Sequence, residues 1–128
     1  MIIDTSALLA ILLGEQDAER YERTVATAWP RRMSTVALLE AAMVVESRGG
    51  AAAGEELDEF LTRAEIELVA VTLEQTVAAR RAWRRFGKGN HPAGLNFGDC
   101  FAYALASTTG EPLLFKGDDF ARTDIEAA

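Results

Sequence analysis

The chain has 128 residues, of which 49% are hydrophobic and 26% charged, with a net charge of −7 at pH 7. This composition is typical of a folded globular chain and argues against disorder, so we expect a single domain over residues 1–128. The acidic balance argues against nucleic-acid binding, because nucleic-acid binders usually present a basic surface.

Hydrophobic periodicity and turn residues divide the chain into alternating strands and helices. The expected strands are, in order, MIID, RRMST, IELVAV and PLLFK. The expected helices are SALLAILLG, EQDAERYERTVATAW, TVALLEAAMVVESRGG (closed by its glycine pair), GEELDEFLTRA, LEQTVAARRAWRRFG and FGDCFAYALASTTG. Strands that alternate with helices predict an α/β fold in which a parallel sheet is covered on both faces.

Acidic residues follow two of the expected strands. Asp4 ends the first strand, and the pair Asp118 and Asp119 follows PLLFK. Ligands of open parallel sheets bind beyond the carboxyl ends of the strands, so these acids are expected at the same rim. Each also has a purely structural explanation, since Asp is a preferred helix N-cap and a common turn residue.

Two further acids lie within apolar helices. Glu40 stands inside TVALLEAAMVV, where a charged group needs a metal ion or a partner such as an arginine. Asp99 lies in the first turn of FGDCFAYALA, where a negative charge also interacts favourably with the helix dipole. Several carboxylates in one cleft repel each other unless a cation neutralises them. Carboxylates without His or Cys favour Mg²⁺ or Mn²⁺, and paired ions of this kind suit phosphodiester hydrolysis.

Four segments, in this order, resemble a PIN domain of the VapC ribonuclease-toxin type. They are IIDTSALLAIL, STVALLE, LNFGDCFAYALA and PLLFKGDDFARTDI, which together extend over essentially the whole chain. The resemblance implies a three-layer α/β/α PIN-like fold with a central, mostly parallel sheet. It also implies a Mg²⁺- or Mn²⁺-dependent endoribonuclease that acts on RNA, and a cognate antitoxin protein that silences it by covering the active cleft.

The resemblance also assigns roles to individual residues. Asp4 and Asp99 match the family's principal metal ligands and catalytic acids, and Glu40 matches the third catalytic acid. Ser6 matches a small hydroxyl residue that forms a hydrogen bond beside the first acid.

The fourth catalytic acid matches the family less closely. Lys116 stands where members often have threonine, and the segment before Phe120 is one residue shorter. Counting from the end of the strand selects Asp118, with Asp119 as the alternative.

The acidic chain contains one basic stretch. No acidic residue lies between Glu74 and Asp99, whereas Arg80, Arg84 and Lys88 fall there at helical spacing. Their shared face is either an ordinary solvated surface or a strip that binds RNA phosphates on the way to the acidic cleft.

The remaining chemically distinctive residues have structural interpretations. The single histidine, His91, excludes a two-histidine ribonuclease mechanism and is expected in a loop. Trp29 and Trp83 are interpreted as packing residues and not as a platform for base stacking, and Cys100 is interpreted as a buried residue. A single cysteine excludes an internal disulfide and suits a reducing compartment.

Localisation and assembly follow from the same residues. No apolar run reaches the roughly 18 residues of a membrane-spanning helix, and the first residues lack the features of a signal peptide. We therefore expect a cytoplasmic protein without membrane contact, and apolar helices in so small a domain favour a homodimer.

Two other functions are alternatives to the ribonuclease. A phosphatase of the haloacid-dehalogenase type also has an Asp after its first strand, but it needs a second Asp where this chain has Ser6. A catalytically silent PIN-like module that binds a partner protein is the other alternative, and the intact acids Asp4, Glu40 and Asp99 argue against it.

Overall fold

Four short strands alternate with five helices in the structure, a computed structural model that describes all 128 residues. The strands are β1 (Ile2–Ile3), β2 (Arg32–Ser34), β3 (Glu67–Val69) and β4 (Leu113–Leu114). The helices are α1 (Thr5–Leu12), α2 (Ala18–Thr27), α3 (Thr35–Arg63), α4 (Leu73–Phe86) and α5 (Phe97–Thr109), with a short 3₁₀ helix over Phe120–Arg122. None of the helices combines the length and apolar character that a membrane crossing requires.

The strands form one sheet in the order β3-β2-β1-β4, and every pair is parallel. Ile2 in β1 pairs with Arg32 in β2 on one side and with Leu113 in β4 on the other. The predicted parallel sheet is therefore confirmed. Since all four strands run the same way, their carboxyl ends share one edge of the sheet, which is called here the carboxyl edge.

Alternate residues of the central strands feed two separate hydrophobic cores. Ile3 and Leu114 pack on one face of the sheet with residues of α1, α2 and α3. Ile2 and Leu113 pack on the other face with residues of α4 and α5. Strands buried on both faces account for the continuous apolar runs in the sequence, and the layers confirm the predicted α/β/α arrangement.

Helix α3 joins two segments that the sequence presents as separate helices. The expected break lies at Gly50, whose φ of 67° and ψ of −162° are not helical. Glycine adopts a positive φ at little steric cost, so the chain changes direction there without a loop and the helix resumes directly. The first helical segment therefore ends at the glycine pair, as expected, but the second segment follows it directly, without a connecting loop.

The edge of the sheet opposite the carboxyl edge is tied together by ion pairs. The N-terminal ammonium donates to Glu111, 2.5 Å away, and to the carbonyl oxygen of Pro30. Arg32 pairs with both Glu111 and Glu67. These contacts join the amino ends of all four strands, and each charge in the network has a partner of opposite sign.

Candidate active site at the carboxyl edge of the sheet

The acids singled out in the sequence gather at the carboxyl edge. Asp4 follows β1 directly, and Glu40 lies in the second turn of α3, which begins where β2 ends. Asp99 lies in the first turn of α5. The Thr5 hydroxyl donates to the carbonyl oxygen of Ala37 at 3.1 Å, which links the start of α1 to the start of α3. The parallel topology therefore brings together residues that are far apart in sequence.

Asp4 is both a helix cap and a candidate ligand. It is 4% exposed, and its Oδ2 accepts hydrogen bonds from the amide of Ser6 at 2.9 Å and from the Ser6 hydroxyl at 2.6 Å. The Ser6 Oγ in turn accepts a hydrogen bond from the amide of Lys116 at 2.9 Å, just beyond β4. Ser6 thus fixes the orientation of Asp4 relative to two strands through Oδ2.

The protein only partly compensates for the burial of the Asp4 carboxylate. Burial raises the pKa of its carboxyl, the hydrogen bonds from Ser6 partly oppose this, and the nearby charge of Glu40 raises the pKa further. No lysine or arginine forms a salt bridge with Asp4, Glu40 or Asp99. Buried carboxylates are usually paired with a cation, so the buried Asp4 beside the half-buried Glu40 and Asp99, all without a basic partner, is unusual.

Asp99 is held by a capping box. The amide of Asp99 donates to the side chain of Asn96 at 2.9 Å, and the amide of Asn96 donates to Asp99 Oδ2 at 3.0 Å. Burial, with smaller contributions from the charges of Asp4, Asp119 and Glu40, raises the pKa of Asp99 to about 7, against the opposing hydrogen bond from Asn96. Its role in starting α5 and its place among the acids therefore coexist.

Glu40 reaches Asp99 because a glycine makes room for it. A Cβ atom added at Gly98 would lie 2.3 Å from Glu40 Oε2, closer than any real contact. The carboxylate therefore rests against the first turn of α5, beside Asp99. The arginine partner that a purely structural role for Glu40 would require is not found.

The side chains form a loose group rather than a closed cage. No three His, Cys, Asp or Glu side chains stand close enough together to enclose a metal ion. The donors are nevertheless suited to a hard divalent cation, because all are carboxylate oxygens without a basic partner, and Mg²⁺ keeps several water ligands alongside a few carboxylates. The residues present therefore fit Mg²⁺ or Mn²⁺ in type and charge.

The fourth acid is where structure and sequence favour different residues. Asp119 begins the 3₁₀ helix, whose Phe120 is buried, and its charge is among those that raise the pKa of Asp99. Asp118 is exposed in the preceding turn and is not among those charges. Lys116 turns away and pairs with Glu15 and Asp17. Asp119 is exposed as well, so its charge effect on Asp99 is the one observation that favours it over Asp118, the residue preferred from the sequence.

Helix α4 differs from its expected description in two respects. It ends at Phe86, so Lys88 lies beyond the helix, yet Lys88 and Arg80 line the same groove between α4 and α5. Trp83 lines this groove too and is 50% exposed, and Trp29 is 70% exposed, so the interpretation of both tryptophans as packing residues is wrong.

Phe97, which the sequence analysis did not single out, lines the same groove and is 77% exposed. The sequence signal for its exposure was its position as the first residue of α5, directly after the capping residue Asn96. His91 lies in the loop between these helices, as expected. Its Nδ1 accepts a hydrogen bond from the amide of Ala93, and its ring packs edge-on against Phe86. Cys100 is buried, also as expected.

The raised pKa of Asp99 predicts that the metal-free protein loses stability as the pH rises from about 4 to about 7. In that range the folded state binds a proton that the unfolded state has released, so stability decreases with pH. Asp99→Asn should flatten this decrease and make the metal-free protein more stable at pH 8, measured by thermal unfolding in EDTA. Asp58→Asn, which removes one exposed charge from a different helix, α3, serves as the control. Equal pH profiles for the two variants would contradict the prediction.

The sequence matches the PIN domain family over residues 1–126. It is 57% identical over 125 residues to a Mycobacterium tuberculosis protein named Ribonuclease VapC30, covering 98% of this chain and 95% of that protein. It is 58% identical over 127 residues to a Mycolicibacterium smegmatis protein named Ribonuclease VapC, covering 99% of this chain and 98% of that one.

Solved structures share the fold at low sequence identity. A Mycobacterium tuberculosis VapC20 structure, described as a toxin that cleaves the sarcin-ricin loop, superposes with a TM-score of 0.78 at 18% identity, covering 99% of this chain and 97% of that one. VapBC2 from Rickettsia felis, bound to a DNA fragment from its promoter, gives a TM-score of 0.78 at 15% identity, covering 98% and 94%. Together with the matches in sequence, these findings establish that the chain belongs to the PIN domain family, and within it to the VapC ribonucleases.

Proposed function

We propose that this protein is a Mg²⁺- or Mn²⁺-dependent endoribonuclease and the toxin of a toxin–antitoxin pair. The observation that carries the proposal is the loose group of three acids, Asp4, Glu40 and Asp99, which lie at the carboxyl edge without any basic partner. The names of the relatives, which are ribonucleases, support the reaction class.

Asp4 and Asp99 are the residues that would hold the metal, with Glu40 as the third acid and Asp119 or Asp118 as the fourth. When bound, divalent ions of this kind stabilise developing charge on phosphate oxygens and activate water for attack on a phosphodiester. The protein's own part is orientation. Ser6 holds one oxygen of Asp4, and Asn96 holds one oxygen of Asp99, which leaves the other oxygen of each carboxylate as the candidate metal ligand.

The acidic net charge does not prevent RNA binding. Arg80, Arg84 and Lys88 are exposed and form neither salt bridges nor side-chain hydrogen bonds within the protein. Uncommitted cations of this kind can exchange their counterions for phosphates. Arg80 and Lys88 line a groove that is also lined by Asn96 and Cys100, which flank Asp99 at the start of α5.

A cognate antitoxin and a second copy of the chain are the partners we propose. The Klebsiella pneumoniae structure that shares this fold, with a TM-score of 0.73 at 14% identity and coverage of 96% and 92%, is a toxin–antitoxin complex. For self-association, Leu39 and Met43 lie four residues apart on α3 and are 61% and 65% exposed. Such a pair forms a continuous apolar patch on one helix face, a surface suited to a homodimer. The proposed location is the cytoplasm.

The proposal is tested by incubating the purified protein with total RNA in Mg²⁺, in Mn²⁺ and in EDTA, and by sequencing the RNA ends. Cleavage should require the divalent ion and should leave 5′-phosphate and 3′-hydroxyl ends, as expected when water is the nucleophile. Asp99→Asn is the control for contaminating nucleases. Ends carrying 2′,3′-cyclic phosphate would contradict the proposal, because they require attack by the ribose 2′-hydroxyl.

Asp4→Asn separates the capping role of Asp4 from its metal-binding role. Asn caps a helix about as well as Asp, so the fold should persist, and the metal-free protein should be as stable as the wild type or more so. Excess Mg²⁺ should raise the unfolding temperature of the wild type by mass action and that of the variant much less. RNA cleavage should fall about 100-fold or more. A variant that cleaves RNA at the wild-type rate would exclude Asp4 as a ligand.

Gly98→Ala tests whether the glycine positions Glu40. The added methyl group would displace the Glu40 carboxylate, whereas alanine favours the helix more than glycine, so stability should be kept while cleavage falls about 10- to 100-fold. Ser107→Ala, an exposed change at the far end of α5, should leave both unchanged. Full activity of Gly98→Ala would show that the position of Glu40 does not matter.

Asp118→Asn and Asp119→Asn distinguish the two candidates for the fourth acid. Because Asp119 carries the charge that acts on Asp99, its variant should lose the larger part of RNA cleavage, measured at saturating Mg²⁺. The opposite order would restore the preference for Asp118 drawn from the sequence.

A further inference from the structure

A groove of about 580 Å³ runs between α4 and the first turn of α5. Six of the ten residues that line it are hydrophobic, and none is acidic. The groove lies outside the acid cluster and uses none of its residues. It contains instead the two cations and the two exposed aromatic side chains described above: Arg80, Lys88, Trp83 and Phe97.

The aromatic rings in the groove are open to solvent to an unusual degree. Trp83 is 50% exposed and Phe97 is 77% exposed, although both sit within a few residues of buried core positions. Phe97 is supported from behind by Phe101, at 5.0 Å between ring centroids in an edge-to-face arrangement. Large flat apolar surfaces of this kind are suited to stacking against another planar group.

The charges around these rings select the occupant. Arg80 and Lys88 have no acidic partner, and residues 75–98 contain no Asp or Glu at all. The protein as a whole carries −7, so this positive region is local. A purely apolar partner would leave both cations unpaired, and carboxylates alone would pair with the cations without covering the aromatic rings. Aromatic rings beside free cations match a nucleic-acid strand, which presents bases and phosphates together.

The groove also leads to the proposed reaction site. Asn96 and Cys100 line it, while Asp99, which lies between them in the first turn of α5, belongs to the acid cluster. A strand that lies in the groove therefore passes within about one helical turn of the acids.

We propose that the groove binds an unpaired nucleotide of the RNA substrate, an inference that rests on the nuclease function proposed above. The base stacks on Trp83 and Phe97, and Arg80 and Lys88 bind the flanking phosphates. Bases in a duplex are not available for such stacking, so the substrate class is single-stranded or looped RNA.

The test measures binding of a short unstructured RNA labelled with fluorescein, alone or annealed to its complement, to the full-length protein in an Asp99→Asn background that prevents cleavage. Trp83→Ala should weaken binding of the single strand about ten-fold or more, without changing the slope of affinity against salt. Trp83→Phe should restore most of the affinity. Arg80→Ala should reduce the salt slope by about 0.7, as expected for one lost phosphate contact on a single strand.

Two controls accompany these variants. Trp29→Ala removes the other exposed tryptophan, which lies outside the groove, and should not change RNA binding. In a Trp29→Phe protein, Trp83 is the only tryptophan, and its fluorescence should be quenched by the single strand and much less by the duplex. A Trp83→Ala protein that binds the single strand as tightly as the parent, or a parent that binds duplex as tightly as single strand, would overturn the proposal.

The proposal fails independently of the nuclease function. If the wild type cleaves RNA with Mg²⁺ and Trp83→Ala cleaves single-stranded RNA with the same kcat/KM, only the assignment of the groove is wrong. If Trp83→Ala changes the sedimentation coefficient but not RNA affinity, the groove is an interface between copies of the chain. If RNA quenches Trp83 but the wild type does not cleave, the groove assignment stands and the nuclease function is wrong.

Discussion

The burial of carboxylates that have no basic partner, at the carboxyl edge of the sheet, is the constraint on which the rest of the site depends. Burial is the main reason why the pKa values of Asp4 and Asp99 are raised, the negative charge of Glu40 adds to both, and no basic side chain forms a salt bridge with any of the three acids. The opposite edge of the sheet is built the other way, with Glu111 paired to both Arg32 and the N-terminal ammonium. The protein therefore has cations available for pairing at one edge and leaves the acids at the other unpaired, which is expected where an external cation supplies the charge.

Neighbouring backbone and side-chain groups hold the acids in place. Asp4 is oriented by Ser6, which is itself held by the amide of Lys116 after β4. Asp99 is held by the amide of Asn96. In each case a helix start fixes one carboxylate oxygen, so the capping interactions that begin α1 and α5 also determine where the remaining oxygens lie. Capping and metal binding, which compete as explanations of a single acid in the sequence, are compatible because a carboxylate has two oxygens.

Hydrophobic periodicity predicted the order of strands and helices, and parallel topology predicted that Asp4 and the pair Asp118 and Asp119 follow strands at the same rim. The assignment of Glu40 and Asp99 to the same site came from the resemblance to the PIN family. The sequence did not predict the exposure of Trp83. An amphipathic helix shows which residues share a face, but not whether a neighbouring helix covers that face fully, and α5 leaves a groove there. The preference between Asp118 and Asp119 depends on a turn containing Gly117 at a φ of 100°, whose geometry the spacing of residues does not reveal.

The distribution of charge explains how so acidic a protein can act on RNA. A net charge of −7 repels a polyanion at long range, but this repulsion is screened over about 8–10 Å at physiological ionic strength. Within that distance the unpaired cations Arg80 and Lys88 dominate the groove, and their side chains carry no competing ion pairs that must be broken. The acids a short distance away would repel a phosphate unless a divalent cation is bound. RNA binding in the groove and metal binding at the acids are therefore expected to be cooperative. The bound metal ion would reduce the repulsion between the RNA phosphates and the Asp99 carboxylate.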